Sequence, residues 1–494
     1  MSINKVRVSL CMIVRNEQEN LAACLDPVAS LFDEMVIVDT GSTDASREIA
    51  SRYTPRVHDF PWCDDFSAAR NECLRHASGD WIFWLDADDR IRPPSVERLR
   101  RVIGQLDDRP RVMVMDTILL PPSPQDDPEQ VSHARLFRRH SKLHWRGRVH
   151  EQIWPDFRTL GYECVFTDVQ IEHLGYLNPA LSIRKVRRKL RLLRMDYAVN
   201  PSDSSTLFHL GMSLINMRRF EEAQAVLCQL TESEVGSSDY SRWAYNGLSR
   251  LSLSTGKPQA ALRFASRGLS YCPNDAPLLF SQANAFFTLE DYNNAAGALE
   301  RLISCPEQKT PQYDTPAHLR TKLAPRMLGS VRRLLGRVSE AETSLLNVLR
   351  DFPTDAKTLY HLGLLYLDLR NPTSLGSVVT NLLSIPGGSS DAGLLAALWH
   401  LRLGKPSLAG PIIENLIAID PHAPLPRMLR AEWLSKMNAP WDEKMRALRD
   451  ILRIQPDNIE AQRWIDRLME IRPTAAPPVL YPSPAAAMPL AVPG

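Results

Sequence analysis

Residues 79–89 read GDWIFWLDADD, and this stretch decides the fold of the N-terminal part of the chain. The five apolar residues from Trp81 to Leu85 predict a short strand that is buried on both faces. Asp86 and Asp88 follow this strand directly. Two aspartates in this position can bind a divalent cation through hard oxygen ligands, although the same D-x-D pattern also occurs in solvated turns.

The sequence on either side of this stretch alternates between apolar runs and helical spacing. Further strands are predicted at Val8–Val14, Met35–Val38 and Val112–Met115, and helices at 21–31, with Pro27 inside it, and at 66–77. The order β-α-β-α-β predicts a mostly parallel sheet covered by helices. Ligands bind beyond the carboxyl ends of such strands, so we expect Asp39, at the end of the second strand, to face the same crevice as Asp86 and Asp88.

Other patterns follow after residue 120. Residues 121–128 are rich in proline and predict a loop, and residues 131–176 predict a mixed region with short strands. Residues 180–197 predict a helix that carries seven Lys or Arg between Arg184 and Arg194. This basic helix is either a solvated connector or a contact for anionic lipid or a phosphorylated acceptor. The residues after 473 are rich in proline and alanine and predict a disordered tail.

A helical repeat occupies the region in between. Small residues recur at spacings of 36, 36, 46, 34, 34 and 34 residues, at Gly211, Gly247, Ala283, Gly329, Gly363, Ala397 and Ala431. A second small residue often comes twelve positions later, at Ala223, Ala295, Ala341 and Ala409, and Pro353 and Pro421 come twenty-four positions later. Small residues let paired helices approach closely and a proline ends the second helix, which is the tetratricopeptide pattern. We therefore expect a solenoid of helix pairs rather than a generic helical bundle.

Composition narrows the possible classes of protein. A formal net charge of +2 gives no global field that would favour nucleic acid. The eight cysteines are scattered without a CxxC pair, which predicts reduced, mostly buried thiols in a cytoplasmic protein rather than a zinc ribbon or a disulfide framework. No stretch approaches the roughly 20 apolar residues that a transmembrane helix needs.

Four stretches together resemble the family 2 glycosyltransferases of the A-type fold. They are SLCMIVRNE (residues 9–17), VIVDTGSTD (36–44), DFSAARN (65–71) and GDWIFWLDADD (79–89). The subgroup is similar to the bacteriocin S-glycosyltransferases and the lipopolysaccharide-core glucosyltransferases, several of which also carry helical repeats. The resemblance implies a GT-A-like fold, in which an α/β nucleotide-sugar-binding domain is followed by an all-α tetratricopeptide-like solenoid.

The resemblance also implies which residues bind the nucleotide. Asp39 is expected to accept a hydrogen bond from the base, uracil in a UDP-sugar. Arg70, in the DFSAARN helix, is expected to approach the nucleotide or its phosphates. The backbone around Ile13, Val14 and Glu17 is expected to line the nucleoside pocket.

A metal site is implied by the same resemblance. Asp88 is expected to ligate Mg²⁺ or Mn²⁺, and Asp86 to contact the ribose or assist the metal. His173 either completes the metal shell with a neutral imidazole, which suits Mn²⁺, or is structural. Asp89 stands where many relatives have glutamate, and its role stays open.

The proton acceptor must be sought in the second half of this domain. An inverting displacement needs a carboxylate that takes the proton of the acceptor, and Glu151 is the candidate, with His150 beside it. The alternative is that His150 and Glu151 form a structural hydrogen-bonded pair.

These inferences combine into one expected function. The chain is predicted to comprise a glycosyltransferase domain (1–178), a basic helical connector (179–200), tetratricopeptide-like repeats (201–472) and the tail (473–494). We expect transfer of a sugar from a nucleotide sugar to a protein or peptide bound by the repeats, or to a lipid-linked glycan.

Two other functions were weighed. In a scaffold, the repeats carry the function and the N-terminal domain is inactive, but the intact acids around the crevice argue against this because buried unpaired acids are costly. A nucleotidyltransferase would be expected to have a glycine- and arginine-rich phosphate loop after the first strand, where this chain has RNEQEN.

Overall fold

The computed structural model describes residues 6–121, 129–175, 179–233, 239–305, 315–316, 318–455 and 458–470. The predicted loop, apart from residue 121, and the predicted tail lie outside these residues. The chain divides into two compact units, Met1–Pro353 and Thr354–Gly494, so the division falls within the helical region. None of the described helices is long and apolar enough to cross a membrane.

The N-terminal part is built on a sheet with helices against it. Its strands are β1 (Val8–Val14), β2 (Glu34–Asp39), β3 (Val57–Asp59), β4 (Trp81–Trp84), β5 (Asp89–Arg90), β6 (Arg111–Leu119), β7 (Glu129–Arg138), β8 (His144–Arg146), β9 (Gln152–Trp154), β10 (Glu163–His173) and β11 (Thr315–Pro316). Its helices are α1 (Leu21–Leu25), α2 (Ser46–Tyr53), α3 (Phe66–His76), α4 (Pro93–Gly104) and α5 (Pro179–Val199). The strands predicted from the apolar runs are all present.

The sheet is mixed, which corrects the prediction of a mostly parallel one. The strand order is β3-β2-β1-β4-β7-β6-β10-β5, with β11 paired to β7 and a separate β8-β9 ribbon. Strands β3, β2, β1 and β4 run parallel, as predicted, but β7 lies antiparallel between β4 and β6. Strands β7 and β10 have 10 and 11 residues, so this region is not made of short strands only.

The predicted helix at 21–31 is also shorter than expected. Helix α1 ends at Leu25, and a short 3-10 helix at Ala29–Leu31 follows. The physical cause is Pro27, which has no N–H to donate, so the helical hydrogen bonds stop there although Asp26 itself is still helical.

Strand β4 is buried on both faces, as its sequence predicts. Trp81 and Phe83 belong to the hydrophobic core on one side of the sheet, and Ile82 and Trp84 to the core on the other. This alternation follows from the two-residue period of a strand.

The prediction for the thiols is wrong in part: all eight cysteines are free, but only Cys11, Cys24 and Cys73 are buried.

The rest of the described chain is a series of helix pairs. The first unit contains α6 (Ser204–Asn216), α7 (Phe220–Ser233), α8 (Asp239–Ser254), α9 (Pro258–Tyr271), α10 (Ala276–Thr288), α11 (Tyr292–Ser304), α12 (Ala324–Leu334) and α13 (Val338–Asp351). The second unit contains α14 (Ala356–Asp368), α15 (Pro372–Leu383), α16 (Ser389–Arg402), α17 (Pro406–Ile419), α18 (Pro424–Lys436), α19 (Trp441–Ile454) and α20 (Ile459–Glu470). The helical repeat predicted from the small residues is therefore present.

The small residues lie where helices approach closely. All seven periodic positions fall inside the first helix of a pair. A Cβ on Gly211 would lie 2.5 Å from the side chain of Leu227 in α7, and one on Gly329 would lie 2.7 Å from Leu345 in α13. Three of these first helices also begin at a capping aspartate whose carboxylate accepts a backbone N–H: Asp203, Asp275 and Asp355.

Replacement of Gly363 by leucine is expected to destabilise the second unit, because a Cβ there would collide with the buried side chain of Leu395. Gly376→Leu is the matched control, since a Cβ at this other helical glycine meets nothing within 4 Å. Overpacking should cost Gly363→Leu about 1–3 kcal/mol in the free energy of unfolding, measured in urea. Equal stability of the two variants would contradict the close approach.

Candidate functional site

Residues 86–89 form an acidic turn at the carboxyl end of β4, next to the end of β10. Strand β5 begins within this turn and pairs antiparallel with β10, so that Asp89 stands opposite His173. The pairing explains how a histidine 84 residues away along the chain reaches the D-x-D turn. The sequence predicted that Asp86, Asp88 and His173 share one site, and the structure places these three residues near one another.

Asp89 stabilises the turn from its buried side. Its side chain is fully buried, and Oδ2 accepts hydrogen bonds from Arg135 Nη1 at 2.9 Å and from the backbone N–H of Asp86 at 3.0 Å. Its Oδ1 lies 2.9 Å from His173 Nδ1. The Arg135 guanidinium stacks on Trp84 at 3.8 Å. Asp89 therefore positions the residues around it, which answers the question that the sequence left open.

Asp88 and His173 face each other in the partly exposed part of the turn. His173 Nδ1 lies 3.6 Å from Asp88 Oδ1. Lys185 of helix α5 donates a hydrogen bond to Asp88 Oδ2 at 3.2 Å. Burial lowers the pKa of His173, but the hydrogen bond to Asp89 and the charges of Asp88 and Asp89 outweigh it and raise this pKa above its usual value.

Arg70 connects the turn to Glu151. It lies in α3, is buried, and donates from Nη2 to Asp86 Oδ1 at 2.9 Å and from Nε to Glu151 Oε1 at 2.5 Å. The guanidinium also lies over the rings of Trp84 and Trp145, at 4.6 and 5.1 Å from their centroids. Burial opposes ionisation of Asp86, but the charge of Arg70 prevails and holds the pKa of Asp86 well below its usual range.

Asp39 shapes the loop that follows β2. Its carboxylate accepts hydrogen bonds from the backbone N–H groups of Ser42, at 2.8 Å, and Gly41, at 3.2 Å. Gly41 has a φ of +96°, which glycine adopts without strain. Asn16, with a φ of +56°, accepts from the N–H of Thr43 at 2.8 Å. These bonds join the loops after β1 and β2 into one rim, close to the predicted nucleoside pocket.

The other predicted donor residues lie on β1 and just after it. Val14 is in the core, and its carbonyl accepts from the N–H of Thr40. Ile13 is partly exposed and lines a small pocket together with Arg70, Trp84 and Trp145; the remaining lining residues are Cys11, Met12, Cys73, Leu74 and Ile82.

Glu17 faces the acidic turn. Burial raises its pKa, a hydrogen bond from Asn20 lowers it, and the charges of Asp88 and Asp86 raise it further. Asn20, which donates to Glu17 at 2.8 Å, also accepts at 2.9 Å from Arg90, the residue directly after Asp89, and this connects Glu17 to the turn.

His150 and Glu151 point to different partners. Whereas Glu151 bonds to Arg70, the ring of His150 stacks on His209 of α6, with centroids 3.9 Å apart. Burial, together with the charges of His209 and Lys189, holds the pKa of His150 well below its usual value, so the ring is neutral at pH 7. The next residue, Gln152, donates a hydrogen bond to the hydroxyl of Tyr240 in α8.

Four contributors escaped the sequence analysis. Arg135 lies on a strand of unremarkable pattern, and Lys185 lies in a helix whose many cations look alike in sequence. Trp84 and Trp145 read as core residues, although both also stack on Arg70. Only Trp84, two residues before Asp86, offered a local signal.

The ligand atoms suit a hard divalent cation. Asp86, Asp89 and His173 each offer one such atom, all within 4.8 Å of one another. Since both oxygens of Asp89 already serve Arg135, Asp86 and His173, the partly exposed Asp88 is the better ligand of the two neighbours. A histidine that bonds a carboxylate through Nδ1 is oriented to bind a metal through Nε2.

Comparison with known proteins agrees with both parts of the chain. Residues 9–159 match the family model described as glycosyl transferase family 2, and residues 204–234 match the tetratricopeptide repeat. These matches confirm the resemblance seen in the sequence and the two-part fold class.

Two curated relatives are each named for one of these two parts. The chain is 30% identical over 265 residues to a TPR repeat-containing protein of Synechococcus elongatus, covering 52% of this chain and 59% of that protein. It is 27% identical over 216 residues to the SPbeta prophage-derived glycosyltransferase SunS of Bacillus subtilis, covering 43% of this chain and 50% of that protein. The chain thus spans between half and three fifths of the length of these relatives. Among solved structures, it is similar to a tetratricopeptide repeat protein from Parabacteroides merdae, with a TM-score of 0.42, 13% identity, and coverage of 51% of this chain and 94% of that one.

Asp89→Asn is expected to lower the free energy of unfolding by about 3–5 kcal/mol, because it leaves the buried Arg135 without its counter-charge. Asp88→Asn is the matched control, and we expect a change of about 1 kcal/mol or less, because Asp88 is partly exposed and lies among other acids. Chemical denaturation of both variants measures the difference. If Asp89→Asn leaves the free energy of unfolding unchanged, this ion pair does not stabilise the turn.

Proposed function

We propose that this protein is an inverting glycosyltransferase, which moves a sugar from a nucleotide sugar, in the first instance a UDP-sugar, to an acceptor held near the repeats. One observation carries the proposal: the guanidinium of Arg70 joins Asp86 of the D-x-D turn to Glu151. In a direct displacement the acceptor attacks the anomeric carbon of the donor while the base takes the proton of the acceptor, so the donor site and the base must lie side by side. The bridge through Arg70 holds Asp86 and Glu151 in such an arrangement. An inactive scaffold has no need of such an arrangement.

The donor is proposed to lie along the rim at the carboxyl ends of β1, β2 and β4. Asp39 and the backbone at Ile13 would contact the nucleoside, and Glu17 would border the pocket. Asp88, Asp86 and His173 would hold Mg²⁺ or Mn²⁺, which neutralises charge on a leaving diphosphate. Asp86 and His173 belong to one group of possible ligand atoms, together with Asp89, and Asp88 Oδ1 lies 3.6 Å from His173 Nδ1, which supports the assignment.

Glu151 is proposed as the base. Its carboxylate would accept the proton of the acceptor while the acceptor atom bonds to the anomeric carbon and the diphosphate departs with the electron pair of the broken bond. The contact with Arg70 fixes the orientation of this carboxylate beside the donor site. His150 is proposed to support the loop through its stack on His209 rather than to exchange protons, because its ring is buried and neutral.

The repeats are proposed to bring the acceptor to Glu151. The residues on either side of Glu151 contact α6 and α8, through the His150–His209 stack and the Gln152–Tyr240 hydrogen bond. An acceptor protein or peptide bound on the first repeats would therefore lie next to the base. A lipid-linked glycan is the other acceptor that the same site could serve.

Binding of UDP, GDP and ADP, each measured by calorimetry with Mn²⁺ and with EDTA, tests the donor site. We expect UDP to bind with Mn²⁺, and EDTA or Asp88→Asn to weaken this binding at least about tenfold, because a metal ligand is lost. If no nucleotide binds to the folded protein, the scaffold function replaces this proposal.

Glu151→Gln is expected to lower kcat about 10²–10⁴-fold, because the amide cannot take a proton, while it keeps the hydrogen bond to Arg70 and leaves nucleotide affinity nearly unchanged. The measurement is release of UDP from the UDP-sugar that the wild type turns over. Glu163→Gln, at an exposed position, is the control. Normal turnover by Glu151→Gln would remove Glu151 from the role of base.

A further inference from the structure

Helix α5 sends one of its cations into the acidic turn. Lys185 Nζ donates to Asp88 Oδ2 and to the carbonyl oxygen of Gly175, at 3.2 Å each. Its side chain is one-third exposed, whereas the neighbouring Arg187 is exposed on the outside of the same helix. The basic helix is therefore more than a solvated connector, because one of its charges belongs to the site.

The ammonium group of Lys185 lies next to a space that Gly175 leaves open because it has no side chain. A Cβ built on Gly175 would lie 2.5 Å from His173 Nε2, 2.7 Å from Asp88 Oδ2 and 3.0 Å from Lys185 Nζ. All three polar atoms thus converge on one small volume that a glycine leaves open. Any side chain at position 175 would fill it.

An ammonium group and a divalent cation compete for the same oxygen. A carboxylate that accepts from Lys185 cannot also present that oxygen to a metal without displacing the ammonium. The displaced ammonium then lies beside a doubly charged cation, which repels it unless an anion lies between the two. A diphosphate that arrives together with the metal supplies such an anion.

We propose that Lys185 is a donor-binding residue with two partners: it pairs with Asp88 when the donor is absent, and it contacts the diphosphate when a divalent cation occupies Asp88. This inference rests on the proposed function. With the donor bound, Lys185 would contact a phosphate oxygen of a nucleoside diphosphate. A divalent cation would compete with Lys185 for the carboxylate of Asp88.

The repeats fix the position of Lys185. Farther along α5, Leu190, Leu192 and Leu193 pack with Leu210 and Leu214 of α6, so that this half of the helix is part of the first repeat. Arg191 forms an ion pair with Asp64 at 2.6 Å. Lys185 is thus carried on a helix that contacts both the sheet domain and the repeats, and rotation of its own long side chain is enough to change its partner.

The test compares Lys185→Met with Arg187→Met in the full-length protein. Calorimetry measures binding of Mn²⁺ alone and then of inorganic pyrophosphate with saturating Mn²⁺, which avoids any dependence on the nucleotide. Lys185→Met should bind Mn²⁺ alone about three- to tenfold more tightly, because the competing ammonium is gone, and pyrophosphate about tenfold more weakly. Arg187→Met, which removes an equal charge from the same helix, should match the wild type. Lys185→Arg should keep most of the pyrophosphate affinity.

Three outcomes would overturn the inference. If Lys185→Met binds both ligands as the wild type and Arg187→Met do, Lys185 is not a donor contact, and the proposed function stands. If Lys185→Met binds Mn²⁺ alone more weakly, Lys185 supports the metal site instead of competing for it. If the wild type binds neither Mn²⁺ nor pyrophosphate, the metal-dependent donor site fails and this inference fails with it.

Discussion

The buried ion pair between Asp89 and Arg135 is the interaction on which the site depends. A buried carboxylate is tolerated only when its charge is matched and its lone pairs are filled, and Asp89 meets both conditions through Arg135, His173 and the N–H of Asp86. Arg135 reaches Asp89 because β7 pairs antiparallel with β4. The mixed sheet and the shape of the D-x-D turn are therefore two aspects of one arrangement.

Much of the fold could be predicted because its signals are local. The apolar runs of β1, β2 and β4 mark strands buried on both faces, and the small residues of the repeats mark close helix contacts. The rule that ligands bind beyond parallel strands then brought Asp39, Asp86 and Asp88 to one edge. The length of β7 and β10 was not predicted, because buried residues such as Val131 and Ile171 stand between partly or fully exposed ones, so neither a continuous run nor a strict alternation appears.

The partners within the site could not be predicted, because they depend on pairing between distant segments. Arg135 is 46 residues from Asp89, and Lys185 is 97 residues from Asp88. In the sequence, Lys185 is one of seven similar cations, and only the docking of α5 selects it. The divergence of His150 and Glu151 is equally invisible, since it depends on His209 of the first repeat and on the positive φ of His150. Sequence reasoning thus found the acids and Arg70, but not Arg135 and Lys185, which pair with Asp89 and Asp88.

The stack of His150 on His209 limits where helix pairs can be added or lost during evolution. Repeat arrays grow or shrink by whole helix pairs, because each pair contacts mainly its neighbours. The pairs that contain α6 and α8 are tied to the sheet domain by this stack, by the Gln152–Tyr240 hydrogen bond and by the leucines of α5, so neither can be deleted or duplicated without disturbing the Glu151 loop. The next pair in the first unit, α10 and α11, packs against α8, α9 and α12 and has no such tie to that loop among the described residues of this unit. Variation in repeat number among homologues should therefore concentrate toward the C-terminal end, where new binding surface can be added while the chemistry stays unchanged.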